Sequence, residues 1–170
     1  MKRSFACFAV LALLASGCGS DTETDHGHPH PHNEMEGLAY SLYSDKSEIF
    51  VEFKPLVVGM SSKFAAHFTI LGEKFLPLSE GTVTVRLIVG DKGIKQSADT
   101  PSVPGIYRLA LTPSIAGTGK LIFDIKAKTF TDQIVIENVA VYPDEKTAFK
   151  KNPPSESSGG DITYLKEQAW

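Results

Sequence analysis

Polar and apolar residues alternate over most of residues 38–142 of this 170-residue chain, and this period of two constrains its fold more than any other feature. Alternation places successive side chains on opposite faces of an extended strand, so that one face is buried and the other meets water. In residues 82–89, Val83 and Val85 fall on one face while Thr82 and Thr84 fall on the other. No comparable helical period occurs in this part of the sequence. We therefore expect antiparallel β structure.

Seven strands are predicted, separated by clusters of Gly, Pro, Asp and Ser. They cover residues 38–43, 48–53, 63–71, 82–89, 106–111, 119–128 and 133–142. Gly90-Asp91 and residues 117–120 are interpreted as hairpin turns, and Val135, Val139 and Val141 as the inward face of the last strand. Short strands at this spacing predict an all-β fold, an immunoglobulin-like antiparallel β-sandwich of about seven strands over residues 38–143.

The charge balance and the cysteine positions each exclude one possibility: a nucleic-acid partner and a disulfide within the sandwich. Lys and Arg total 17 against 20 Asp and Glu, a net charge of −3, whereas a nucleic-acid surface needs a basic patch. We therefore expect no nucleic-acid partner. Cys7 and Cys18 both precede the predicted strands, so no disulfide can join those strands and the sandwich must depend on its apolar core.

Residues 1–17 have the order of a signal peptide, with Lys2 and Arg3 followed by an apolar run and small residues. The run is shorter than the roughly 20 residues that span a bilayer. The residues that end at Cys18 resemble a bacterial lipobox, whose cysteine is acylated, although Ala15 stands where leucine is usual. A lipid on Cys18 would anchor the protein to a membrane face in the periplasm or cell envelope. An ordinary signal peptide followed by a chance cysteine is the alternative.

Residues 18–37 are acidic and poor in apolar side chains, which predicts a disordered tether. Within them lies the His tract, residues 26–32, in which histidines alternate with Gly and Pro. The candidate metal ligands are His26, His28, His30 and His32. Neutral imidazole binds Zn(II), Cu(II), Co(II) and Ni(II), and flexible spacers allow several rings to meet on one ion. The sequence predicts divalent metal binding here without a tightly bound cofactor; a polar spacer that meets metal only adventitiously is the alternative.

The predicted sandwich offers no arrangement typical of catalysis. The fifth histidine, His67, lies between Ala66 and Phe68 and falls on the opposite face, so we expect it on an outer surface. The glycine-rich residues 90–93 and 117–120 lack the strand, loop and helix order of a phosphate-binding loop. We predict no enzymatic activity and assign no catalytic residue.

The last part of the chain is divided by composition. Residues 144–160 contain a Pro, Ser and Gly-rich stretch and are predicted as a linker, and residues 161–170 as the start of a further segment. That segment, Asp-Ile-Thr-Tyr-Leu-Lys-Glu-Gln-Ala-Trp, resembles the opening of the conserved body of periplasmic adaptor subunits of resistance-nodulation-division efflux pumps, also called membrane-fusion proteins. Residues 49–59 (Ile-Phe-Val-Glu-Phe-Lys-Pro-Leu-Val-Val-Gly) and 117–121 (Gly-Thr-Gly-Lys-Leu) extend the resemblance to Bacteroidetes-type members of the heavy-metal branch, which carry a lipoprotein leader, a His-rich tether and an additional Ig-like domain of the YtkA-like kind.

This resemblance implies an adaptor that contacts an inner-membrane efflux pump and an outer-membrane channel. The domains that make those contacts would follow Trp170, so the chain is expected to be the truncated N-terminal portion. Copper and silver members of the family also use a methionine cluster, but Met35 and Met60 are far apart in sequence and no thioether site is predicted. The alternative function is a standalone Ig-like envelope lipoprotein that binds another protein through a sheet face or through the edge strand 38–43.

Overall fold

Strands, most of which follow the period-two pattern, make up more than half of the computed structural model, which describes residues 35–154. Within those residues the elements are ten strands and one short helix. Their bounds are β1 (Leu38–Tyr43), β2 (Ser47–Phe53), β3 (Leu56–Val57), β4 (Ser62–Ile70), β5 (Leu76–Pro77), β6 (Thr82–Val89), β7 (Lys92–Ala98), β8 (Ile106–Leu111), β9 (Gly117–Lys126), β10 (Thr131–Tyr142) and α1 (Glu145–Lys151).

The strands form the two sheets of an immunoglobulin-like β-sandwich, which confirms the predicted fold class. In the first sheet β1 pairs with β2 and β2 with β4, while β8 and β5 both pair with β4. The second sheet has the order β3-β10-β9-β6-β7, with β3 parallel to β10 and the other three neighbouring pairs antiparallel. Pro55 separates β2 from β3, and because proline cannot donate to a strand ladder, the chain passes there from one sheet to the other.

Apolar side chains from the inner faces of both sheets fill the space between them. Phe123 of β9 lies at the centre, with its ring 6.4 Å from that of Phe64 and 6.2 Å from that of Phe68. Tyr107 of β8 is fully buried, and its hydroxyl donates a hydrogen bond to the carbonyl oxygen of Gly81 at 2.9 Å. Burial of these large rings supplies the main favourable free energy of a fold that has no cysteine among its described residues.

Each of the seven predicted strands coincides with a strand of the structure, but the alternation pattern missed three others. Two of these, β3 and β5, are two residues long. The third, β7, follows the correctly predicted Gly90-Asp91 turn and is exposed at five of its seven positions, so it has no buried face to reveal it in the sequence.

Two local predictions were wrong. Residues 117–120 begin strand β9 and are not a turn. In β10, Ile134 and Ile136 face the core instead of Val135, because a β-bulge between Ile136 and Val139 adds one residue and reverses the alternation. Asn138 in this bulge has a φ of 58°, the left-handed conformation that asparagine tolerates better than most residues.

The linker predicted from residue 144 also needs correction at its start, because residues 145–151 form α1. Asp144 caps this helix by accepting a hydrogen bond from the Thr147 amide at 2.8 Å, and Ala148 is buried. After the helix, the carbonyl of Asn152 accepts a bond from the Glu36 amide, so the two ends of the described chain lie side by side. The predicted leader and the predicted segment 161–170 lie outside the described residues.

Candidate functional site

The predicted metal ligands His26, His28, His30 and His32 lie outside the described residues, as does the predicted lipidation residue Cys18. Met35 is the first described residue and stands three positions after His32, so the structure shows where the His tract leads into the sandwich. Within residues 35–154, no three His, Cys, Asp or Glu side chains are grouped so as to hold a metal ion. Metal binding therefore remains a prediction about the His tract.

A cavity of about 270 Å³ adjoins this point, and we call it the junction cavity. It lies where the segments before β1, between β2 and β4, and at the start of α1 meet. Its lining residues are Met35, Lys54, Pro55, Val57, Met60, Ser61, Ser62 and Glu145. The fold thus brings Met35 and Met60 to one cavity although 25 positions separate them, a juxtaposition that sequence spacing did not reveal.

The chemistry of the junction cavity is mixed. Thioether sulfurs suit soft monovalent ions, and Glu145 adds a carboxylate. Lys54, however, brings a positive charge to the same lining, which opposes a bound cation. Ser62 is already engaged, since its hydroxyl donates to the Lys54 carbonyl at 2.9 Å. We therefore assign no metal to this cavity on its own.

The outer face of the second sheet is polar, and its side chains bind one another. Arg86 of β6 forms a two-pronged ion pair with Asp124 of β9, with distances of 2.6 Å from Nε to Oδ2 and 3.1 Å from Nη2 to Oδ1. Gln133 of β10 donates to the same carboxylate at 2.7 Å. Both charged groups are about one-third exposed, and ion pairs that accessible contribute little to stability. An open groove of about 790 Å³ crosses this face beside Asp124. Because the polar side chains here already pair with one another, we interpret the groove as ordinary solvated surface.

The outer face of the first sheet carries aromatic side chains. His67 of β4 lies on this outer face, as the sequence predicted, but it is half-buried because its ring packs edge-on against Phe50 of β2 at 5.7 Å. Tyr43 at the end of β1 is 66% exposed. A hydrogen bond to the Glu48 carboxylate, with the negative charge of that group, raises the pKa of Tyr43. This face and the adjoining edge of β1 are the surfaces that best suit contact with another protein.

A cluster of polar side chains joins the two sheets, and the sequence analysis did not predict it. Asp132 at the start of β10 accepts hydrogen bonds from the hydroxyls of Ser44 and Ser47, which lie at the β1–β2 turn. Burial raises the pKa of Asp132, but those two bonds, a bond from the Gln133 amide and the charge of Lys46 outweigh it and lower the pKa overall. No local signal marks this cluster, because 85 residues separate Ser47 from Asp132.

No helix of the described part is long and apolar enough to span a bilayer. Comparisons of the chain with protein-family models, curated proteins and solved structures give no match. The fold therefore defines the class, an immunoglobulin-like β-sandwich, and its function is a matter for proposal.

Proposed function

We propose that this chain is the N-terminal portion of a periplasmic adaptor of a heavy-metal efflux system, anchored by a lipid on Cys18. In this role the His tract captures or senses a divalent metal ion, and the sandwich serves as a spacer or docking module. The observation that carries the proposal is the row of four histidines at alternate positions, His26 to His32, directly before the folded part.

The order of segments along the chain supports this role. With a leader of residues 1–17 and the proposed anchor at Cys18, the His tract begins eight residues after the anchor and ends six residues before the first strand, which begins at Leu38. Metal captured in such a tether would be held between a membrane face and a folded base. The junction cavity lies at that base, because Met35, three positions after His32, is one of its lining residues.

Calorimetric titration of Zn(II) and Cu(II) into residues 19–170 tests the metal-capture part. This chain contains no cysteine, so thiolates cannot contribute to the affinity. We expect the affinity to fall at least about tenfold when the four tract histidines are replaced by alanine. His67→Ala is the matched control, since this histidine lies on the sandwich, and its affinity should equal that of the unsubstituted chain. Equal affinities in the four-histidine variant and the unsubstituted chain would refute metal capture by the tract.

The adaptor part is tested by reading the encoding DNA past the codon for Trp170. A frame that continues into helical heptads and a lipoyl-like repeat would support contact with an inner-membrane pump and an outer-membrane channel. A stop codon at that point would favour the second candidate, a standalone envelope lipoprotein that binds other proteins. The uncharged edge strand β1 is the specific observation in favour of this second role.

A further inference from the structure

Strand β1 forms an edge of the first sheet, and its free backbone groups can be identified. The Ser44 amide donates to the Ser47 carbonyl at 2.8 Å and closes the β1–β2 hairpin. Along an antiparallel strand, residues that bond the neighbour alternate with residues whose N–H and C=O point away from it. Ala39, Ser41 and Tyr43 are therefore the residues that point away from β2, and all three are exposed. The described chain places no strand on that side of β1.

Proteins usually block such edges with charges, prolines or short strands, and β1 has none of these features. Its sequence, Leu-Ala-Tyr-Ser-Leu-Tyr, is six residues long and uncharged. The edge strands on the opposite side of the sandwich, β7 and β8, do have such protection. There β7 carries Lys92 and Lys95, and the side chain of Gln96 accepts a hydrogen bond from the Ala110 amide at 2.6 Å, which covers the edge of β8. Residues 131–140 of β10 also lack a neighbour on one side, but they carry Asp132, Glu137 and a β-bulge. Among the described strands, β1 is therefore the long edge without protection.

The edge of β1 is complementary to itself. In β1 the odd-numbered residues face outward and the even-numbered residues face the core. When two copies pair antiparallel, both keep their core-facing side chains on one face of the joined sheet only if odd-numbered residues lie opposite odd-numbered residues. With Ser41 opposite Ser41 of the second copy, Ala39 faces Tyr43 in both directions, and all three outward-pointing residues form bonded pairs. A register shifted by two residues leaves only two such pairs within β1. The chosen register also sets the exposed ring of Tyr43 beside the small side chain of Ala39.

We propose that two copies of this chain associate by antiparallel pairing of their β1 strands, with Ser41 on the two-fold axis. The pairing joins the first sheets of both copies into one continuous sheet and satisfies three N–H and three C=O groups of each strand. Although the chain has a net charge of −3, no charged residue faces another across the strand pair. An interface built on one strand is small, so the dimer forms in a concentration-dependent equilibrium. The inference is independent of metal capture.

A single-cysteine variant tests both the pairing and its register. Residues 19–170 retain every described element and contain no cysteine, so Ser41→Cys introduces the only thiol. Facing residues of a bonded pair have Cα atoms about 5.5 Å apart, which suits a disulfide. We expect diamide, in the presence of EDTA, to convert most of this variant to a covalent dimer. Ala39→Cys should not cross-link, because its two copies lie about 14 Å apart in this register, and Ser97→Cys on β7 is the matched edge-strand control.

Cross-linking of Ser41→Cys at the rate of Ser97→Cys, or faster cross-linking of Ala39→Cys, would overturn the proposal. Sedimentation equilibrium supplies a second readout without thiol chemistry. Ser41→Lys sets two positive charges opposite each other, so its dimer dissociation constant should rise at least about tenfold while Ser97→Lys leaves it unchanged. Circular dichroism checks that both variants are folded. An unsubstituted chain that remains monomeric up to millimolar concentration would also overturn the proposal. If the variant with the four tract histidines replaced by alanine forms the same dimer, dimerisation does not depend on metal capture.

Discussion

The hydroxyl of Ser47 donates a hydrogen bond to Oδ2 of Asp132 at 2.6 Å and so ties the first hairpin to the last strand. Ser47 belongs to the first sheet and Asp132 to the second, and Ser47 is only 2% exposed. Most contacts between the sheets are apolar and therefore indifferent to small changes in orientation. This polar contact is directional, and it fixes the start of β2 relative to the start of β10.

Asp132→Ala should destabilise the sandwich by about 1–3 kcal/mol, because it leaves the buried Ser47 hydroxyl without its acceptor. Urea unfolding at pH 7, followed by circular dichroism, measures this free energy. Asp99→Ala is the matched control, since Asp99 accepts only an exposed bond from Thr82 at 3.2 Å. A loss in Asp132→Ala no larger than that in the control would show that the contact does not tie the sheets together.

The same contact predicts a pH dependence. The pKa of Asp132 is lowered in the folded chain, so its ionised form is favoured by folding. The resulting stability is present above the unfolded value, near 3.9, and is lost as the pH falls through the lower folded value. The difference in unfolding free energy between the unsubstituted chain and Asp132→Asn should therefore be largest at neutral pH and shrink below about pH 4. A difference that stays constant from pH 7 to pH 2 would contradict this assignment.

Gly119→Ala should cost more stability than any other glycine substitution in β9. A Cβ atom at this position would lie 2.2 Å from the carbonyl oxygen of Ile88 and 2.7 Å from a methyl group of Val89, so the backbone of β6 must shift. We expect a loss of at least about 3 kcal/mol, measured by urea unfolding. Gly93→Ala is the control, because its nearest contacts would be 3.8 and 3.9 Å away. Similar losses in the two variants would refute the steric explanation.

Metal binding by the His tract should weaken as the pH falls below about 6, since protonated imidazole has no lone pair for a metal ion. Zn(II) titrations of residues 19–170 at pH 7.5, 6.5 and 5.5 measure the trend. Binding through Asp25 or Glu34 alone would persist at pH 5.5, because carboxylates remain ionised there. An affinity unchanged over this range would therefore exclude imidazole ligands.

Replacement of Cys18 should release the protein from the membrane. Residues 1–170 with Cys18→Ser are expected to lose incorporation of labelled fatty acid when expressed in a bacterium, and to move from the membrane fraction to the soluble fraction. Cys7→Ser is the matched control, because Cys7 lies within the predicted signal peptide. Equal labelling of the Cys18→Ser variant and the unsubstituted protein would contradict the lipoprotein assignment.

The period-two pattern was sufficient to predict the fold class and most of the core. Alternating residues such as Val83, Val85 and Leu87 are buried as predicted, because a strand that covers one side of a core must repeat every two residues. The pattern failed where burial did not control the sequence. Strand β7 has no buried face. In β10 a bulge that contains Asn138 changes the alternation, and the hydrophobic pattern does not predict a bulge there.

Contacts between residues far apart in sequence depend on the tertiary structure. The cluster of Ser44, Ser47 and Asp132, and the approach of Met35 and Met60 to one cavity, depend on how two sheets stack and where Pro55 passes the chain between them. Local sequence does not predict such contacts, because the stacking of the sheets depends on the summed packing of both inner faces and not on any single residue. The His tract shows the converse: metal binding there is predicted from residue type and spacing alone, and the prediction requires no tertiary fold.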